Sequence, residues 1–163
     1  MQIRAMVASD WAQVSQIYAE GIAGHMATFE TCVPSWSDWD EKHLDIGRFV
    51  AEEEGVILGW VALGAVSHRA VYRGVVEDTI YVAKNAQGRG VGSVLMATMI
   101  DASEKAGIWS ILAVTFQENN ASIALHQKLG FRMIGYRERI AQLDGVWRNT
   151  VMLERRSEVI GND

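Results

Sequence analysis

The heptapeptide Gln87-Gly88-Arg89-Gly90-Val91-Gly92-Ser93 constrains this chain more than any other segment. Before it, Val75 to Val82 ends in Thr79-Ile80-Tyr81-Val82, a run of strong strand preference. After it, Val91, Leu95, Thr98, Ala102 and Ala106 recur at helical spacing as far as Gly107, a glycine placed to close a helix. A strand therefore turns into an amphipathic helix through three alternating glycines. Free backbone N–H groups and the helix dipole favour an anion at such a turn, and glycine lets the main chain approach oxygen atoms that a Cβ holds away. A phosphate site is the direct inference, with Arg89 available for a charge-assisted hydrogen bond. The same spacing also fits a tight turn that binds nothing.

Two common phosphate loops fail against these residues. A Walker loop needs Gly-Lys followed by Ser or Thr, which the chain does not contain. The dinucleotide pattern needs glycine at position 93 or 95 and finds Ser93 and Leu95.

The remaining elements follow from local signals. Gln2 to Met6 reads as a first strand, and Ser9 as the cap of a helix over about Asp10–Ala19 that Gly21 and Gly24 break. Ser35 or Ser37 caps a second helix ending near Gly47. Phe49–Glu52 and Val56–Val66 form a hairpin around Glu53-Glu54-Gly55. Trp109–Phe116 is a buried strand, and Asn119 or Asn120 caps a short helix that ends at Gly130. Phe131–Leu143 and Val146–Glu154 flank Asp144-Gly145, a dipeptide suited to two-residue hairpins. The order is β-α-α-β-β-β-α-β-α-β-β.

Composition narrows the function. The 163 residues are 49% hydrophobic and 21% charged, with no repeat or linker, so one domain over residues 1–163 is expected. A formal net charge of -5 argues against a nucleic-acid partner. No apolar run reaches bilayer length and no secretory signal opens the chain, so no membrane partner and a cytoplasmic location are expected. Cys32 is the only cysteine, and His25, His43 and His68 lack metal-ligand spacing, so no metal site is expected.

Gln87-x-x-Gly90-x-Gly92, between a strand and a helix, resembles the cofactor signature of the GNAT superfamily of N-acetyltransferases. Glu118-Asn119-Asn120-Ala121-Ser122-Ile123-Ala124-Leu125-His126-Gln127-Lys128-Leu129-Gly130-Phe131 resembles its second cofactor helix. Thr28-Phe29-Glu30, Arg69-x-x-Tyr72-Arg73-x-Val75-Val76-Glu77-x-Thr79-Ile80-Tyr81-Val82 and Gly145-Val146-Trp147-Arg148-Asn149 are similar to the phosphinothricin and methionine sulfoximine acetyltransferase branch. Val75 and Asp78 depart from that branch, where Thr, and Ser or His, are common.

The resemblance implies an α+β (mixed α/β) GNAT fold, a mostly antiparallel twisted sheet of about seven strands flanked by about four helices. It implies acetyl-CoA as co-substrate, a small amine acceptor and a homodimer. The pyrophosphate is expected on the amides of Gln87, Gly88, Arg89, Gly90, Val91, Gly92 and Ser93, the thioester carbonyl near the N–H of Tyr81 or Val82, and the pantetheine arm against Asn119. Glu77 is the candidate base. His126 is the candidate donor to the departing thiolate, or shares the base role. Phe29, Glu30, Tyr72, Arg73 and Val75 are expected at the acceptor, with Trp36 and Trp147 completing an apolar wall. An acyl-CoA sensor and a protein N-acetyltransferase are the alternatives.

Overall fold

A computed structural model describes residues 1–163. Seven strands form one sheet: β1 (Gln2–Ala5), β2 (Phe49–Glu53), β3 (Val56–Ala65), β4 (Val75–Val82), β5 (Ser110–Phe116), β6 (Arg132–Leu143) and β7 (Val146–Arg156). Four helices join them: α1 (Trp11–Ala23), α2 (Trp36–Lys42), α3 (Val91–Lys105) and α4 (Asn120–Lys128). The strand order is β1-β2-β3-β4-β5-β7-β6, antiparallel throughout except for β4 beside β5. The expected α+β order is the observed one.

Local chemistry explains most of the boundaries. Glu54-Gly55 and Asp144-Gly145 both take positive φ, at 51° and 81° and at 50° and 77°, which joins β2 to β3 and β6 to β7 by two-residue turns. Ser35 accepts from the Asp38 N–H and starts α2, and Asn119 accepts from the Ser122 N–H and starts α4. After α3, Gly107 sits at φ 82° while the Ile108 N–H returns to the Ser103 carbonyl.

Three local expectations are corrected. Ser9 caps nothing. Asp10 does the work at that corner, accepting from the Val7 N–H and from both Arg4 Nη atoms at 2.8 Å, which ties β1 to the start of α1. Helix α2 stops at Lys42, where His43 turns extended, well before Gly47. Gly21 does not break α1, which runs through it to Ala23. A Cβ at position 21 would come within 2.3 Å of Tyr81 Cε1, so glycine is there to admit a ring and not to end a helix.

That ring belongs to the layer between the sheet and α1–α2. Tyr81 stacks on Trp60 at 5.1 Å and meets Tyr18 at 5.0 Å, while Trp39 and Trp60, both fully buried, meet edge-on at 5.6 Å. Helix α3 covers the opposite face, burying Val91, Leu95, Met96 and Met99. Alternation along β4 follows: Glu77, Thr79 and Tyr81 face α1–α2, whereas Asp78, Ile80 and Val82 face α3–α4.

The parallel pair β4–β5 is held only at Val75–Ser110, Val76–Ile111 and Glu77–Leu112. Beyond Glu77 the strands part, although β4 stays paired with β3 to Val82 and β5 with β7 to Phe116. The facing edges of β4 and β5 are thereby left without a strand partner.

Gly21→Ala should lose about 1–3 kcal/mol of stability from overpacking against Tyr81, despite the higher helix propensity of alanine. Urea unfolding of the variant checks this, and equal or greater stability would remove the Tyr81 explanation.

Candidate active site

The gap between β4 and β5 opens into a cleft of about 1480 Å³ that is lined from both faces of the sheet. Its rim on one side is the glycine turn. Gly88 and Gly90 take φ 75° and 80°, a region that side chains avoid, and a Cβ at either would meet no protein atom within 4 Å. The space beside them is open for a ligand. Gly92 serves differently, since a Cβ there would press on Leu125 of α4 at 3.2 Å. The first backbone bond of α3 runs from the Val94 N–H to the Gly90 carbonyl, so the N–H groups of Val91, Gly92 and Ser93 have no partner within the helix. They converge with the helix dipole on the rim, the arrangement an anion requires.

Arg89 stands apart. Its guanidinium pairs with Glu53 at 2.7 Å on the outer surface, so in this structure only its main chain belongs to the turn.

The pleat of β4 decides which amides reach the gap. Ala83 donates to Leu58 on the β3 side, while the Gly74 carbonyl accepts from Trp109 and Ser110 on the β5 side. Counting in twos from these ends, the backbone groups of Asp78, Ile80 and Val82 point into the gap and those of Tyr81 point to β3. Of the two amides expected at the thioester, that of Val82 points into the gap and that of Tyr81 points to β3. Tyr81 contributes its partly buried ring instead.

Glu77 is half-buried on the α1–α2 side of the cleft. Burial pushes its carboxyl pKa up, the neighbouring charge of Asp78 adds to this, and Arg137 opposes it. On the other side, His126 is buried, with Nε2 at 2.9 Å from Asp78 Oδ2 and Nδ1 at 2.7 Å from the Ser122 carbonyl oxygen. Glu77 and His126 thus line one cleft but stand on opposite faces of β4. Asn119 also lines it, with its side-chain amide engaged: the oxygen accepts from Ser122 N–H and the nitrogen donates to Met26 C=O at 3.1 Å. That second bond ties the loop after α1 to the start of α4.

Phe29 and Glu30 line the cleft as expected, and the Phe29 ring meets Phe116 edge-on at 4.8 Å. Tyr72, Arg73 and Val75 do not. They lie at the opposite end of β4, where Tyr72 and Val75 border a shallow hollow with Trp109 and the Arg73 guanidinium lies over the Trp109 ring. Trp36 packs against Trp11 and Trp39, and Trp147 is 55% exposed on β7. The apolar wall consists instead of Phe29, Phe116, Tyr18, Trp39 and Tyr81.

The sequence reading missed His43, Trp39 and Thr150. His43 lines the cleft, stacked on Trp39 at 4.1 Å. Burial pushes its pKa down, and nearby Arg48 and Lys42 add to this against the Trp39 carbonyl and Asp40. Trp39 Nε1 and Thr150 Oγ1 are buried without a protein partner, and both residues border the cleft.

Residues 11–131 match the acetyltransferase (GNAT) family, and the chain belongs to that family. It is 32% identical to the phosphinothricin N-acetyltransferase of Alcaligenes faecalis over 94% of this chain and 81% of that one. It is 28% identical to the L-methionine sulfoximine/L-methionine sulfone acetyltransferase of Salmonella typhimurium, over 94% and 93%. The crystal structure of a phosphinothricin acetyltransferase from Sinorhizobium meliloti in complex with AcCoA superposes with a TM-score of 0.86, at 29% identity over 99% of this chain and 96% of that one.

Because burial raises the Glu77 pKa, the folded chain binds that proton more tightly than the unfolded chain does. The ionised side chain therefore lowers stability once the pH rises through the folded pKa. Glu77→Gln should be more stable than the parent at pH 8, with the difference closing below about pH 4, near the ordinary glutamate value. Urea unfolding at both values tests this, and equal stability at pH 8 would contradict it.

Proposed function

We propose that the whole chain works as one N-acetyltransferase domain, moving the acetyl group of acetyl-CoA to the amino group of a small amino-acid-like acceptor. The observation that carries this reading is the gap between β4 and β5, with a glycine turn at its mouth and a half-buried glutamate at its last paired position. Open space beside Gly88 and Gly90 suits the pyrophosphate, and the unpaired strand edges suit the amides of the pantetheine arm. The relatives named for phosphinothricin and methionine sulfoximine support an amino-acid-like acceptor.

In this reading Glu77 takes a proton from the acceptor ammonium, a task for which its raised pKa suits it. The freed nitrogen attacks the thioester carbonyl carbon from the α1–α2 side. As the C–N bond forms, negative charge gathers on the carbonyl oxygen, where the Val82 N–H is aimed. The C–S bond then breaks as the nitrogen gives up its second proton, leaving an amide and the coenzyme thiolate. Glu30, beside Phe29 at the acceptor end, is placed to hold a cationic group. The enclosing aromatic wall favours a small acceptor over a protein chain. A cytoplasmic homodimer belongs to the same reading and rests on family resemblance; sedimentation of the purified chain tests the dimer.

Acetyl-CoA with a panel of amino acids, phosphinothricin and methionine sulfoximine should give acceptor-dependent thiol release. Glu77→Gln should lower kcat by about 10²–10⁴-fold with little change in acetyl-CoA binding. Gly90→Val, which forces a branched side chain into the left-handed region and fills the rim, should abolish binding in calorimetry while the fold persists by circular dichroism. Cofactor binding without acceptor-dependent release from any amine would favour a sensor and overturn the enzyme reading.

A further inference from the structure

On the α3–α4 side of β4, Asp78 and His126 form a pair with side chains only 2% and 4% exposed. Every close partner of the imidazole is an acceptor. The Ser122 carbonyl oxygen lies 2.7 Å from Nδ1, so Nδ1 carries a hydrogen, and an Asp78 carboxylate oxygen lies 2.9 Å from Nε2. The Ser122 hydroxyl, 3.4 Å from Nδ1, does not alter that count. A neutral ring with its hydrogen on Nδ1 would turn the Nε2 lone pair toward a carboxylate oxygen, so a second proton belongs between Nε2 and Asp78. Phe131 meets the ring edge-on at 4.9 Å.

The charged groups around the ring are few. Asp78 acts on it from β4, and within α4 its partner is Ser122. Glu77, one residue along β4, faces the other side of the sheet and feels both Asp78 and Arg137 of β6. Burial opposes a charge on the imidazole, but the Asp78 hydrogen bond, the Asp78 charge and the Ser122 carbonyl outweigh it, and the ring pKa is raised.

We propose that Asp78 is a positioning residue that keeps His126 doubly protonated in the cleft wall, so that His126 is a proton donor on the thiol side and not a second base. The donor role rests on the acetyltransferase reading, whereas the protonation state of the ring does not. Over one turnover the acceptor ammonium loses two protons, the departing sulfur gains one, and one goes to solvent. Glu77 collects the protons of the nitrogen on one face of β4. His126 supplies the proton of the sulfur on the other by releasing one of its two bonded acceptors as the thiolate forms, then regains a proton from solvent.

The test is a pH titration of the His126 ring by ¹H–¹³C NMR on the full chain, its signal among the four histidines assigned by loss in His126→Asn. The expected midpoint lies above the ordinary imidazole value of about 6.5. In Asp78→Asn the negative charge that offsets burial is gone, so the neutral ring is favoured and the midpoint should fall below that value. In thiol release, Asp78→Asn should lower kcat by about 10²-fold, leave the KM for acetyl-CoA unchanged, and move the alkaline limb of the pH profile to lower pH. A parent midpoint at or below the ordinary value, or an identical midpoint in Asp78→Asn, overturns the proposal. A shifted midpoint with unchanged kcat and alkaline limb overturns the donor role and leaves a clamp between β4 and α4. If the parent turns over no acceptor, the acetyltransferase reading fails while the titration still decides the state of the ring. Should Asp78→Asn not fold, the parent midpoint and Asp78→Ser decide it.

Discussion

The parting of β4 from β5 is the constraint on which the rest of the molecule depends. Two adjacent parallel strands ordinarily satisfy each other's backbone groups, and leaving them apart is costly unless something else supplies partners. Here the pairing ends at Glu77, and each strand is kept straight by its outer neighbour, β3 for one and β7 for the other. Helix α4 enters at that point. Asp78, the first residue past the pairing, reaches α4 through His126, and Asn119 at the start of α4 reaches the loop after α1. The gap is thus bridged by side chains at its floor and by a loop at its edge.

This placement explains why the two carboxylates adjacent in sequence lead different lives. Glu77 turns toward the layer of Tyr18, Trp39, Trp60 and Tyr81, where apolar walls weaken the competition from water and raise its affinity for a proton. Asp78 turns the other way and meets a buried imidazole. A strand separates the two environments with a single peptide unit. The buried unpartnered atoms of Trp39 and Thr150 lie on the border of the same cleft, which gives it polar handholds amid an aromatic lining.

The sequence disclosed the features governed by short-range chemistry. Gly88, Gly90 and Gly107 take positive φ; Asp144-Gly145 forms its hairpin; Asn119 caps its helix. What stayed hidden was decided by distant contacts. Gly21 looked like a helix breaker because nothing nearby reveals that Tyr81, sixty residues on, fills the place of its side chain. The pairing of Arg89 with Glu53 was hidden because it depends on how β2 runs past the turn. Tyr72, Arg73 and Val75 share a segment with Glu77, but Tyr72 and Arg73 lie in the turn before β4, and that turn and the first residue of the strand pack beside Trp109 and not in the cleft. For Asp78 a signal was present. A charged residue alternating with Val76, Ile80 and Val82 on the buried side of a strand demands a partner, and His126 was the one candidate already tied to the same cleft.

The two-sided lining of the cleft has a kinetic meaning. With the coenzyme at the α3 turn and the acceptor at the aromatic end beneath α1 and α2, as proposed above, the two would meet from opposite faces of the sheet. Neither has to depart before the other arrives, and no acyl group has to be parked on the polypeptide between half-reactions. Initial-rate plots for such a chamber intersect, as ternary-complex kinetics require, rather than running parallel as they do when a covalent acyl-protein forms.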